Sequence, residues 1–337
     1  MGVTHGRQDR AKLMTTITVI AVVLCAGAVI TLIGRHLIER AHLPHGRFID
    51  SNGFRQHVME MGDGGGLKDS VPVVLLHGAG ANLQDMNLAL GDRLAARHRV
   101  ILIDRPGFGF SARKAGEGSS PADQASVLRD VLDKLGIDRA IIVGHSWGGT
   151  MALTFALDFP ERVAGLVLIA APTHPGLWRM TKLNALLASP IGWLFAHTLA
   201  LPFGAILIWP GARTAFLPQI IPAGYVKRTA AMLVLRPATL LANWADVGCL
   251  DVFLTQQAVR YDRLATPTIV LAGDRDPLVP LEQHATKLAA TAPAVKVEVV
   301  PGFGHMLHHS AADRVAAAVE ELSNAAKPRI ATNQMAT

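Results

Sequence analysis

The sequence predicts an α/β fold: a mainly parallel sheet of eight strands flanked by helices, with a helical lid inserted after the sixth strand and a transmembrane helix at the N-terminus. Three observations predict it. Short, continuous apolar runs alternate with segments of helical period, the pattern of strands buried on both faces and joined by crossover helices. One stretch, Pro172 to Arg260, breaks the alternation with prolines, few acids and long apolar helices, and so reads as an insertion. Leu13 to Ile33 contains no charged residue, and roughly 20 apolar residues span a hydrocarbon core of about 30 Å.

Taken in order, residues 1–12 form a short basic tail, 13–34 the anchor and 35–46 a linker. Cleavage after Ala28 in Ala26-Gly27-Ala28 would leave Val29 to Ile33 as an exposed apolar stub, so an uncleaved anchor is expected. Arg7, Arg10 and Lys12 precede the run, and Arg35, Arg40 and Arg47 follow it with Glu39 among them. In this near balance the short three-positive tail favours the cytoplasmic side, and the folded domain is expected outside the cytoplasm. Asn52-Gly53 signals a hairpin between Arg47–Asp50 and Gln56–Glu60, and a glycine-rich loop runs from Gly62 to Gly66. Buried strands follow at Val71–Leu76, Val100–Ile103, Ala140–Val143, Val163–Ile169, Thr268–Leu271 and Val295–Val300. Helical segments lie between them at Leu83–Ala96, Pro121–Leu135, Thr150–Phe159, Leu281–Ala290 and Ala311–Leu322. The core thus divides into 47–171 and 261–325 around the insertion 172–260, with a flexible tail at 326–337.

Composition bounds the partners. Half of the 337 residues are hydrophobic and 17% are charged, which suits a large packed core and excludes a disordered or coiled-coil chain. The net charge of +6 is not organised as a nucleic-acid groove, because no basic patch interleaves with aromatics; an anionic membrane surface fits better. Cys25 and Cys249 are too far apart in kind and place to suggest a disulfide. No H-E-x-x-H run and no cysteine cluster occurs, so neither metal nor cofactor is implied.

The chemistry sits in the loops that follow strands, where ligands bind in parallel sheets. Gly144-His145-Ser146-Trp147-Gly148 directly follows a strand and precedes a helix. A sharp strand-to-helix turn needs small residues beside the serine, and it lifts the Ser146 hydroxyl above the sheet as a nucleophile. A serine hydroxyl needs a base, and His305 lies on the glycine-flexed loop after the last strand. The neighbouring His308 and His309 begin the next helix, where solvated or capping roles are expected. The imidazole needs an orienting carboxylate. Asp276 and Asp274 both follow the strand Thr268–Leu271; Asp276 is the choice, with Asp274 stabilising the turn. The N–H of Trp147, together with that of Ala79 in His77-Gly78-Ala79-Gly80, would form the oxyanion hole. His77, Gly78, Trp193, Trp209 and Met306 are further candidates for substrate contact.

With these residues in view, the chain from about Arg47 to Leu322 resembles the α/β-hydrolase superfamily, in its serine-nucleophile branch. The resemblance rests on His77-Gly78, Asp104-Arg105-Pro106-Gly107-Phe108-Gly109-Phe110-Ser111, the turn around Ser146, the Gly-x-x-Asp-x-x-Val-Pro run ending at Pro280, and Gly304-His305. It implies that the acid is the aspartate three residues before Val279, which is Asp276, and that the insertion forms a lid over the site. Haloalkane dehalogenase and epoxide hydrolase relatives carry an aspartate where this chain has Ser146, so neither activity is expected. Ester hydrolysis, C–C bond hydrolysis and perhydrolysis all suit a serine triad, and a non-catalytic binder would have lost part of it.

The lid points to the substrate. Ile191–Trp209 has no charged residue, yet Ser146 precedes it while Asp276 and His305 follow it, so it does not make a single crossing. Pro202 and Gly204 should split it into two short helices. The expected role of its apolar face is to pack on the core and line the pocket as a lid. The sharper alternative is that part of it dips into the bilayer surface beside the anchor, and anchored monoacylglycerol lipase-like relatives show this general layout. A lipid-like, acylglycerol-type ester is therefore the expected substrate.

Overall fold

The computed structural model describes residues 2–51, 53–63, 71–114 and 116–326. Asn52, the glycine-rich loop from Gly64 and the tail after Ala326 lie outside the described residues.

Eight strands build one sheet: β1 (Arg47–Ser51), β2 (Phe54–Met61), β3 (Val73–Leu76), β4 (Val100–Ile103), β5 (Ala140–His145), β6 (Val163–Ile169), β7 (Thr268–Gly273) and β8 (Val295–Val300). Their order is β1-β2-β4-β3-β5-β6-β7-β8, and β2 alone runs antiparallel to its neighbours. The continuous apolar runs follow from cover on both sides. Val74, Leu76, Ile142, Leu166 and Leu168 join one core with Leu128 and Phe155, while Val73, Leu75, Val143, Val167 and Ile169 face Leu83, Leu90 and Val319 on the other. Between β3 and β5 the chain order reverses direction across the sheet, which opens a crevice at their carboxyl ends.

The helices are α1 (Gly2–Ala41), α2 (Leu83–Met86), α3 (Asp92–Ala95), α4 (Pro121–Lys134), α5 (Trp147–Asp158), α6 (Trp178–Leu187), α7 (Pro190–Thr198), α8 (Ala200–Phe216), α9 (Tyr225–Arg228), α10 (Pro237–Ala258), α11 (Ala285–Thr291), α12 (Leu307–Ser310) and α13 (Ala312–Ala326). Ser120 starts α4 with a reciprocal cap, accepting from Asp123 N at 3.1 Å while the Asp123 carboxylate takes the Ser120 N–H. The helix expected at Leu281–Ala290 is broken at His284, whose ring turns aside to accept the Thr173 N–H at 3.2 Å. Helices α6 to α10 lie between β6 and β7 and form the insertion.

Two boundaries differ from expectation. The stretch 35–46 is not a linker throughout: α1 continues to Ala41, because Arg35 and Glu39 pair at 3.1 Å one turn apart and no breaker precedes Pro44. The break in the lid's apolar run falls at Leu199, between α7 and α8, which meet at 79°. Pro202 acts one turn upstream of itself, since its ring and missing N–H deny Thr198 its helical partner. Among the described residues, α1 is the one unbroken helix long and apolar enough to cross a membrane.

Candidate active site

The turn after β5 carries Ser146 at φ 51° and ψ −122°, a conformation that costs a non-glycine residue roughly 1–3 kcal/mol. Its neighbours enforce it. A Cβ on Gly144 would lie 2.4 Å from the Gly148 carbonyl oxygen, and one on Gly148 would lie 2.4 Å from that of His77. The turn is locked by the Ser146 N–H donating to Ile169 O at 2.8 Å. Trp147 opens α5, so its N–H has no carbonyl one turn upstream and points out of the helix end.

The loop after β7 holds Asp276 beneath the loop after β8. Asp276 Oδ1 accepts the N–H groups of Leu278 and Val279 at 2.8 and 3.0 Å, which fixes the carboxylate. Its Oδ2 lies 2.8 Å from His305 Nδ1, so Nδ1 carries the proton and Nε2 is left as the acceptor. Asp274 is exposed and accepts the Gly302 N–H at 2.6 Å, tying the two loops together. Gln219, which follows α8, donates to Gly302 O at 2.8 Å and accepts from Gly304 N at 2.9 Å, so the lid also braces the His305 loop.

Ser146, His305, Ala79, Trp147 and Met306 all line one cavity of about 440 Å³. Most of its remaining wall is aliphatic, built from residues of the insertion such as Leu207, Ile208, Val234 and Leu235, and Asp85, His145 and Tyr225 complete it. No lysine or arginine lines it among the described residues. Four candidates for substrate contact lie elsewhere. His77 is fully buried, with Nδ1 bonded to Gly78 O at 2.9 Å and Nε2 accepting the Arg105 N–H at 3.0 Å. Gly78 packs under the His145 ring rather than into the cavity. Trp193 is exposed and stacks on His197 at 4.2 Å, while Trp209 lines a separate surface depression near Lys227.

Two buried networks support the site that sequence reasoning missed. Arg105 lies between the rings of Phe108 and Trp147, at 4.2 and 4.0 Å, and donates to His77 O and Gly78 O at 3.0 and 3.3 Å. Its charge is met by Asp246 of α10 at 2.8 Å, which also accepts from Gln124 at 2.9 Å and from Arg113. The Trp147 indole donates to Asp246 O at 3.1 Å, and Asn243 accepts the Gly80 N–H at 2.7 Å. Helix α10 therefore grips both loops that carry the Ala79 and Trp147 N–H groups.

The second network corrects the expectation for His308 and His309, which are not solvated. The single turn α12 tucks both rings inward, where their Nε2 atoms each lie 2.8 Å from the carboxylate of Asp85. The Tyr225 hydroxyl of the lid donates to the same carboxylate at 2.7 Å. Burial opposes the Asp85 charge, but the facing His308 and the bonds from both histidines hold its carboxyl well below the usual range. The His145 ring packs between His308 and His305, with centroids at 3.9 and 4.9 Å.

These buried rings predict acid lability. Burial pushes His77 and His308 down to about 4, and it lowers His145 as well. Each folded-state value lies below the unfolded one, so the unfolded chain binds more protons between them. Stability is then fully present above about pH 6.5 and falls toward pH 4, by up to about 1.4 kcal/mol per pH unit for each ring. Thermal inactivation of the detergent-solubilised protein should show a flat midpoint from pH 7 to 8 and a steep fall below 6.5; a midpoint independent of pH would contradict this.

The pattern of known proteins agrees with the geometry. The family description alpha/beta hydrolase fold matches residues 71–312. The chain is 31% identical over 284 residues to 2-hydroxymuconate semialdehyde hydrolase of Pseudomonas putida, covering 82% of this chain and 92% of that protein. It is 27% identical over 291 residues to haloalkane dehalogenase 2 of Mycobacterium tuberculosis, covering 82% and 93%. Among solved structures, Est816, described as an N-acyl homoserine lactone degrading enzyme, superposes with a TM-score of 0.63 at 25% identity, covering 82% and 99%. With its sheet order, its strained serine turn and a family match across most of its length, the chain belongs to the α/β-hydrolase family and is a hydrolase.

Proposed function

We propose that this hydrolase cleaves carboxylic esters of apolar, lipid-like acids, of which acylglycerols are the model, through an acyl-enzyme on Ser146. The observation that carries the reading is the cavity itself: Ser146 and His305 share it with the Ala79 and Trp147 loops, and most of the rest of its wall is aliphatic. His305 Nε2 takes the hydroxyl proton as Ser146 Oγ bonds to the ester carbon, and the Ala79 and Trp147 N–H groups stabilise the oxyanion. The C–O bond then breaks, and the proton passes from His305 to the leaving alcohol. Water repeats the sequence, releasing the acid and restoring Ser146. Asp276 keeps the imidazole in the tautomer this requires and stabilises its charged form. The apolar α1 supports a single-pass anchor, and the three basic residues of the short tail before it favour a catalytic domain outside the cytoplasm.

C–C bond hydrolysis is the second reading, favoured by the likeness to 2-hydroxymuconate semialdehyde hydrolase. An anionic substrate would need a cation in the pocket, whereas the charged wall residue outside the triad is Asp85, held ionised. The test is turnover by the full chain in detergent of a p-nitrophenyl ester series of increasing acyl length, beside an anionic keto-dienoate. Ester turnover that peaks at a medium or long chain, with no cleavage of the dienoate, is expected. Dienoate cleavage exceeding ester turnover would reverse the assignment.

A further inference from the structure

We infer that the corner between α7 and α8 is seated inside the lipid bilayer against α1, so that the lid and the anchor form one membrane-embedded unit with the pocket wall facing lipid. This rests on the reading of Leu13–Ile33 as a membrane span and refines where an apolar ester enters.

Helix α1 is exposed on every side from Gln8 to Val23. From Gly27 a buried stripe appears at Gly27, Thr31 and Ile38, with Gly34 half-buried between them, a spacing that marks one face of a helix. That face packs on the lid corner. A Cβ on Gly27 would lie 2.7 Å from Thr198 O, and one on Gly34 would lie 2.7 Å from Leu201 Cδ2. Ile38 joins Leu201, Leu233 and Leu235 in a small core, and Glu39 pairs with Arg236 at 3.6 Å.

The overlap of two ranges sets the depth. The uncharged run ends at Gly34, before Arg35, while contact with Thr198 begins at Gly27. At 1.5 Å per residue, six residues from Gly27 to Ile33 place Thr198 about 9 Å inside the end of the apolar run. A domain hung below its anchor would meet the helix only after Arg35. The backbone is arranged for such a place. Pro202 has no N–H to offer Thr198 O, and the hydroxyl of Thr31 in the anchor donates to that oxygen at 3.0 Å. A broken helix in hydrocarbon needs this kind of replacement partner.

The surface around the corner matches. Ile191 and Ile206 are 76% and 73% exposed, and Trp193, Phe203 and Trp209 are more than half exposed. This apolar surface continues onto the exposed Val29, Ile30, Leu32 and Ile33 of α1, so a hydrocarbon phase covers both at once. Leu207 lines the catalytic cavity and is itself 61% exposed, which leaves the wall one side chain thick on the lipid side.

The experiment is tryptophan quenching of the full chain in phosphatidylcholine–phosphatidylglycerol vesicles with lipids brominated near the ester end or near the methyl end of the acyl chain. Helix α1 contains no tryptophan, so an anchor that merely tethers a soluble domain gives no quenching. Quenching is expected, stronger from bromine near the ester end, and it should be lost in the Trp193→Phe/Trp209→Phe double variant. A Gly27→Leu/Thr31→Leu variant, which splits the seam, should float with the vesicles yet lose quenching. Absence of quenching in the natural chain, or quenching unchanged in the Trp193→Phe/Trp209→Phe variant, overturns the seating. Hydrolysis of water-soluble p-nitrophenyl acetate, read on the same samples, fails only if the esterase reading fails, and flotation fails only if the span reading fails.

Discussion

Replacing Ser146 by alanine is expected to lower kcat on p-nitrophenyl esters by roughly 10⁴- to 10⁶-fold while leaving the fold intact. On the proposed mechanism no acyl-enzyme forms without Oγ, and the remaining rate would come from direct attack by water with the Ala79 and Trp147 N–H groups holding the oxyanion. Stability should change little, because the turn is shaped by Gly144, Gly148 and the Ser146 backbone bond to Ile169 rather than by the hydroxyl. The Ser146→Ala/His305→Ala double variant should be no slower than either single one, since the two groups act in one step. Single-turnover kinetics check this; additive losses would mean that the two residues do not share a step.

The largest loss of stability is expected from Asp246→Ala. The carboxylate is wholly buried and faces Arg105, Arg113 and Gln124, and its removal leaves the Arg105 guanidinium charged and unpaired in the interior. Burial lowers Arg105 to about 10, so it is still ionised at neutral pH. Breaking one side of a buried pair costs about 3–5 kcal/mol. Activity should fall too, because Arg105 holds the carbonyls of His77 and Gly78 and so aims the Ala79 N–H. Asp246→Asn, which keeps an acceptor but loses the charge, should fall between the two. Urea unfolding followed by near-ultraviolet circular dichroism measures this, and a loss under about 1 kcal/mol would overturn the strut.

What the sequence made legible was local. The buried strands announce themselves because both sheet faces are covered, and the Ser146 turn because its glycines lie within four residues of one another. Asp276 and Asp274 are chemically alike in sequence. Geometry separates them: one is buried and bonded to His305, the other exposed and bonded to Gly302. What stayed hidden pairs residues far apart in the chain. Asp246 meets Arg105 across 141 positions, and Asp85 meets His308 across 223. No periodicity encodes such contacts, so His308 and His309 read as surface groups. His77 and Gly78 looked like pocket residues from their place after β3, yet they serve the loop from beneath. The reach of α1 into the lid was obscured by Arg35, Glu39 and Arg40, whose charges suggested a linker although two of them pair along a continuing helix.

The two ends of the lid are held in different ways, and that difference marks where the protein can be recombined. Helix α10 is joined to the catalytic core by the buried Asp246 charge and by Asn243, so it cannot be replaced without rebuilding the loops around Ser146. Helices α7 and α8 lean on α1 through small side chains and aliphatic contacts, and on α10 only through the apolar contacts of Phe195, Ala196 and Ala200 with Leu240 and Trp244. A relative's segment grafted between Pro190 and Ala215, with its own N-terminal helix carried along, Leu240 and Trp244 matched to it and Phe216 kept against Met306, should therefore alter acyl preference without disturbing the chemistry. On the proposed reading, the unit of inheritance for specificity in this chain is a discontinuous one, the apolar helix α1 together with the α7–α8 corner more than a hundred residues away.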